Sequence, residues 1–164
     1  STLAMSSAAS DVYKRQIDPL MKIEILHFDK FKFDHEEQLH DIYIKRISQF
    51  RNIITDIKTV KINNKGIENR IVKKKANEYL VSLDEKGEHF STEDLKVFLF
   101  NNNFKNLKFI VGSTDGIQKG ILEKSNKVIS LSKMTLTHSF ALIILLEQIY
   151  RSATIVSNHP YHRV

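Results

Sequence analysis

The residue types able to do chemistry gather toward the end of this 164-residue chain. His138 stands at the head of a long apolar run, and the chain closes on Asn158-His159-Pro160-Tyr161-His162-Arg163-Val164. An aromatic ring, a titratable imidazole and a guanidinium beside a proline suit stacking on a base and contacting a phosphate. The competing reading is an ordinary frayed terminus. Upstream, Gly112-Ser113-Thr114-Asp115-Gly116 follows a wholly apolar stretch. Glycines there let a backbone approach a ligand, although any tight strand-to-helix turn uses the same residues. The segment is neither a GxGxxG dinucleotide fingerprint nor a Walker A loop. The seven histidines (His27, His35, His40, His89, His138, His159, His162) are scattered and form no HExxH pattern, so no metal site is expected. The absence of cysteine excludes disulfides, thiolate zinc sites and cysteine nucleophiles, and no nucleophile-elbow sequence supports a serine hydrolase.

These residues need elements to hold them. After Met21, Lys22-Ile23-Glu24-Ile25-Leu26-His27-Phe28 has the pattern of a strand. Leu39, Ile42, Tyr43, Ile47 and Phe50 recur at helical spacing, with Lys45, Arg46 and Arg51 on the other side. A β-branched run over 53–62 predicts a second strand, Asn63-Asn64-Lys65-Gly66 a turn, 67–75 a short basic helix and 79–83 a third strand. Ser91 and Asp94 have capping-box spacing ahead of a helix through Leu95, Phe98 and Leu99. Leu107 to Val111, apolar except for Lys108, reads as a central strand buried on both faces. A loop over 113–116, a short helix over 117–125, a strand over 127–131 and a helix over about 137–153 complete the pattern. Strands separated by helices imply crossovers, hence an α/β domain with a mostly parallel sheet and helices on both faces. In such sheets ligands bind at the carboxyl ends of strands, so the loops after Leu83, Gly112 and Leu131 are the expected site.

Hydrophobic residues make up 41% of the chain, enough for a core. The first twenty residues are Ser- and Ala-rich without periodicity; residues 1–20 read as a non-native or disordered leader, and 21–164 as a single domain. The longest apolar run, Phe140 to Leu146, is seven residues, against roughly 20 for a membrane span. No membrane association and a cytoplasmic location are therefore expected. The net charge is +6, and the window Lys58 to Lys75 alone holds seven basic residues and one acid. Such a stripe is either the footprint of a polyanion or a solvated lysine-rich face. The helix from His138 is apolar around its whole circumference, which points to a second subunit on one face or to a central core helix.

Four segments in order carry a resemblance: Phe109-Ile110-Val111-Gly112-Ser113-Thr114-Asp115-Gly116, Ile129-Ser130-Leu131-Ser132-Lys133-Met134-Thr135-Leu136-Thr137-His138, Leu146-Glu147-Gln148-Ile149-Tyr150-Arg151-Ser152-Ala153, and Pro160-Tyr161-His162-Arg163. Together with Met21-Lys22-Ile23 and Tyr43-Ile44-Lys45-Arg46-Ile47, they resemble the RlmH family, the 23S ribosomal RNA pseudouridine-1915 N3-methyltransferases of the SPOUT class. The resemblance runs from Met21 to Arg163 and implies a SPOUT-type parallel sheet with a C-terminal trefoil knot, a homodimer, S-adenosyl-L-methionine as cofactor and 23S rRNA in the ribosome as partner. Carried over by motif, the cofactor contacts are Leu83 in Val81-Ser82-Leu83-Asp84, Gly112, and the loop Leu131, Ser132, Lys133, Met134, Thr135 and Leu136.

Methylating the N3 of a base requires its proton to leave, so a base or a stabiliser of the developing anion is needed. The resemblance offers His138 beside the cofactor loop and His162 in a tail that reaches the partner's site, with Tyr161 to stack on the target and Arg163 to hold a phosphate. His138 has the alternative role of merely starting its helix. The chain departs from the family pattern at Asp29, where glycine is usual, at Gly112-Ser113, where two glycines are usual, and at Leu142, where an arginine is common. The region 63–75 is also shorter. Leucine cannot supply charge at position 142, which leaves open a catalytically weak or inactive ribosome-binding module of the same fold.

Overall fold

β-branched and apolar runs alternate with amphipathic segments, and the computed structural model, which describes residues 21–163, turns that alternation into strands and helices. They are β1 (Met21–His27), α1 (Asp34–Ile47), β2 (Ile54–Lys61), α2 (Asn64–Val72), β3 (Glu78–His89), α3 (Thr92–Asn101), β4 (Asn106–Val111), α4 (Lys119–Lys124), β5 (Lys127–Ser130) and α5 (His138–Val156). The leader expected over 1–20 lies outside the described residues. The strands pair in the order β2-β1-β4-β3-β5, and every pairing is parallel. The expected α/β architecture is thus present.

Helices cover both faces. On one, α1, α3 and α5 close over Ile23, Ile25, Val81, Phe109 and Ile129; on the other, Ile67 of α2 and Ile121 of α4 pack on Leu26, Leu80 and Ile110. β4 sits between β1 and β3, where its one charged residue, Lys108, pairs with Glu78 at 2.9 Å and its Leu107, Phe109 and Ile110 are fully buried. Each such side chain contributes on the order of 1.5–3 kcal/mol of apolar burial.

Several boundaries differ from expectation for local reasons. Asn63 is the N-cap of α2, its Oδ1 accepting from the Gly66 amide at 2.7 Å, so the expected turn is the first turn of the helix. Lys73 to Lys75 lie beyond that helix rather than in it. The capping box at Ser91 and Asp94 is formed in full. In α1, Tyr43, Ile44 and Ile47 face the core, whereas Leu39 and Ile42, assigned to the same face from spacing, are more than 40% exposed.

α5 has much of its apolar surface covered within one chain. It packs against α1 and α3, and Leu142, Leu145, Leu146, Ile149 and Ala153 are buried in the core. With 19 residues it is long and apolar enough to cross a membrane, a possibility that counting uninterrupted apolar residues misses, but more than half of it is buried inside the protein. It is a core helix. Only Phe140, at 52% exposure, stands clear on its first turn.

Candidate active site at the carboxyl edge of the sheet

The sheet register draws one line across the molecule: His27 pairs with Val111, Val111 with Leu83, and Leu83 with Ile129. Beyond that line β1, β4 and β5 end, and the chain leaves them at Phe28, Gly112 and Leu131, while β3 breaks its register after Leu83. The structure therefore brings Leu83, Gly112 and the loop 131–136 to one edge. Leu83, Leu131 and Leu136 are half-buried there, while Lys133, Met134 and Thr135 are exposed. The loop is braced from within, Ser130 Oγ donating to the Ser132 carbonyl at 2.8 Å and the Met134 amide donating to Ser132 Oγ at 2.9 Å.

Gly112 has a reason of its own. A Cβ there would lie 2.8 Å from Ile117 Cγ1 and 2.9 Å from the Gly116 carbonyl carbon, so the tight turn itself requires glycine. Gly116, at φ +81°, closes that turn, its amide donating to the Ser113 carbonyl at 2.9 Å.

β3 continues to His89, past the Leu83 where its sequence pattern ends. Leu83 and Glu88 both face Ile129, so residues 84–87 form an excursion between two pairings with the same partner. Gly87 makes this possible: a Cβ would sit 2.7–2.9 Å from the Ile129 backbone. From the excursion, Glu85 accepts from Thr135 Oγ1 at 3.1 Å and anchors the loop 131–136. Sequence reasoning passed over Gly87 and Glu85. The signal was a glycine amid acids and a lysine directly after a strand.

His138 begins α5 at the same edge. Its Nδ1 lies 3.4 Å from Asp29 Oδ2 and its Nε2 3.3 Å from the Lys30 carbonyl, with Thr137 serving as the N-cap. Next to it, Ser139 Oγ donates to the buried Glu36 at 2.9 Å, and Glu36 also accepts from the Lys32 amide at 3.2 Å. Burial alone would raise the Glu36 pKa; the bonds from Ser139, Lys32 and Phe33 outweigh it and hold the carboxyl below its usual range. Burial pushes the His27 imidazole down, helped by His40, Lys61 and His138 nearby.

The tail does not join His138 in this chain. α5 ends in a Schellman motif, with Asn158 at φ 53°, its amide bonded to the Ile155 carbonyl and that of His159 to the Thr154 carbonyl. The chain then turns back along the second half of α5. Glu147 is the hub: it accepts from Tyr161 Oη at 3.0 Å and from Arg151 Nε at 3.0 Å, while Arg151 Nη1 donates to His162 Nδ1 at 3.2 Å. The Tyr161 ring meets Tyr150 edge-on at 4.6 Å, with the Arg151 guanidinium 4.9 Å from its centre. Burial, then bonds to Tyr43 and Glu147, push the Tyr161 hydroxyl well above its usual pKa, so it stays protonated and donates. Arg163 is exposed. His138 and Arg151 are thirteen residues apart on one helix, about 20 Å along its axis, so within a subunit the tail lies away from the cofactor loop. The expected pairing of Glu147 with Arg151 is present.

Leu142, which stands where the family commonly has an arginine, is 2% exposed and packs in the core. Among the described residues no group of three His, Cys, Asp or Glu side chains is arranged to hold a metal ion.

Comparison with known proteins agrees with this arrangement. A family model described as "Predicted SPOUT methyltransferase" matches residues 21–162. The chain is 40% identical over 121 residues to a protein named ribosomal RNA large subunit methyltransferase H from Prochlorococcus marinus (strain MIT 9301), covering 74% of this chain and 80% of that one. Proteins of the same name from Dictyoglomus thermophilum and Koribacter versatilis are 36% and 34% identical, each over 87% of this chain and 99% and 98% of their own length. The chain belongs to the SPOUT methyltransferase family and, within it, to the ribosomal RNA large subunit methyltransferase H family.

Proposed function

We propose that this protein transfers the methyl group of S-adenosyl-L-methionine to N3 of pseudouridine 1915 in 23S ribosomal RNA, on the assembled ribosome in the cytoplasm. The observation that carries the reading is the convergence of Leu83, Gly112, the loop 131–136 and His138 on one sheet edge in a chain of this family. The edge suits such a cofactor: half-buried Leu83, Leu131 and Leu136 offer apolar walls for the adenine ring, and the backbone of the turns after Gly112 and Leu131 offers hydrogen bonds to its edge. When bound, the sulfonium supplies an electrophilic methyl group. The protein's part is to orient the base, exclude water and accept or balance the N3 proton.

The tail acts across a homodimer in this reading. Tyr161, His162 and Arg163 lie too far from their own His138 to share its site, so they serve the site of a second subunit, in keeping with the family resemblance. Phe33 at the N-cap of α1, Leu39 and Ile42 on α1 and Phe140 on α5, all exposed on two helices that pack together, supply apolar surface for that subunit. The trefoil knot implied by the resemblance belongs to the same reading, as does a single domain over 21–164.

The deciding experiment is mass spectrometry of the nucleosides of 23S RNA from ribosomes that lack this methyl group, after incubation with the protein and S-adenosyl-L-methionine. Gain of 3-methylpseudouridine at one site is expected, and its absence would sink the reading. Sedimentation of the purified protein at twice the monomer mass tests the dimer.

A further inference from the structure

The network around Glu147 fixes more than the place of the tail. Arg151 Nη1 lies 3.2 Å from His162 Nδ1. A guanidinium can only donate, so Nδ1 presents its lone pair and the ring carries its proton on Nε2. Arg151 is held in turn by Glu147, through Nε at 3.0 Å and through Nη2, and the Tyr161 hydroxyl donates to the same carboxylate at 3.0 Å. The His162 ring is half-buried, and among the described residues its Nε2–H has no acceptor. His138 is arranged the other way: its Nε2–H donates to the Lys30 carbonyl at 3.3 Å, while Asp29, 3.4 Å from its Nδ1, accepts from the Thr114 amide at 3.2 Å. Of these two histidines, His162 is the one with an N–H left to offer.

We propose that His162 meets the target base as a hydrogen-bond donor, through Nε2–H, and is not the group that takes the N3 proton. The inference rests on the methyltransferase reading above, with the tail at a second subunit's site, and deepens it by assigning one residue its part. N3 of a uracil ring lies between two carbonyl groups, so the charge that develops as its proton leaves spreads onto their oxygens. A donor at either oxygen stabilises that charge more in the transition state than in the ground state. In the step itself the N3–H electron pair forms the new N–CH3 bond, the S–CH3 pair returns to sulfur and the proton leaves to water, while His162 keeps its own proton. To act as the base the ring would have to accept at Nδ1, which Arg151 occupies, because a neutral imidazole has no second lone pair.

His162→Gln separates the two roles, since one amide carries an oxygen that accepts from Arg151 and an N–H that donates, yet takes up no proton at neutral pH. On ribosomes lacking the methyl group, His162→Ala should lower kcat about 100-fold or more, whereas His162→Gln should stay within about tenfold of wild type. Long-range 1H–15N spectra of the free wild-type protein should show His162 as the Nε2–H tautomer. A Gln variant as impaired as the Ala variant overturns the proposal, and so does an undiminished Ala variant or an Nδ1–H tautomer. A wild-type protein that transfers no methyl group refutes the methyltransferase reading and the donor role with it, while the tautomer still reports on the pairing with Arg151.

Discussion

His27 and Glu36 flank the connection that carries Asp29, and both link stability to pH. The His27 pKa is lowered from an ordinary 6.5 in the folded protein. As pH falls through 6.5 the unfolded chain takes up a proton that the native state resists, so stability declines on acidification. Glu24, Glu36 and Glu78, lowered from 4.5, and Asp94, lowered from 3.8, act in the same direction at lower pH. Their contribution is complete above the unfolded values and is lost as pH drops through the folded ones. Melting temperature is therefore expected to fall between pH 7.5 and 5.5, and His27→Gln should flatten that slope. Equal slopes in the two proteins, measured by circular dichroism, would remove His27 from the linkage. None of this could be read from the sequence: one histidine among seven became a linkage group because β1 carries it to a half-buried edge.

Two glycines and a helix terminus set the geometry of the elements around the site. Gly87→Ala forces a Cβ to within 3 Å of the Ile129 backbone, so β5 must shift and carry the loop 131–136 with it. Calorimetry should show cofactor affinity reduced by an order of magnitude or more, with a lowered melting temperature, and unchanged affinity would detach the excursion from the site. Truncation after Asn158 removes Tyr161, His162 and Arg163. Methylation is expected to be abolished while the protein remains dimeric by sedimentation. Because Tyr161 packs on Tyr150 and bonds Glu147, the truncated protein should also lose about 1–3 kcal/mol of stability. Retained methylation would exclude the tail from the reaction. The tail's composition suggested function from the outset, but that it is pinned to α5 by Asn158 and Glu147 depends on contacts no spacing rule foresees.

Across the molecule the basic run divides. Lys58 and Arg70 bond the buried Glu24 at 3.3 and 2.7 Å, with Lys108 at 3.7 Å, so two of its seven cations serve the sheet interior. Burial alone would raise the Glu24 pKa, and these cations outweigh it. Lys61 ends β2 at the carboxyl edge, whereas Lys73 to Lys75 directly precede β3 and so lie at the opposite, amino edge. Five residues of β3 separate that edge from Leu83, a span of about 17 Å. If those lysines meet RNA, they meet backbone well away from the methylated base. Replacing Lys73, Lys74 and Lys75 with Ala should weaken RNA binding and reduce its dependence on salt, leaving cofactor affinity unchanged. An unaltered salt slope, read by fluorescence anisotropy, would return the run to a solvated face.

The alternation of strand and helix, the burial of Leu107, Phe109, Ile110 and Val111, the cap at Ser91 and the turns that follow β4 and β5 are local properties. They depend on side-chain periodicity and on hydrogen bonds between near neighbours, so the residue order alone determined them. The convergence of Asp29, Thr114 and His138, the separation of His138 from its own tail, the burial of Leu142 and the division of the lysines between two edges were decided only by the fold. Each joins residues tens of positions apart, and what brings them together is sheet order and register, which arise when two faces of one sheet bury their apolar surfaces at once.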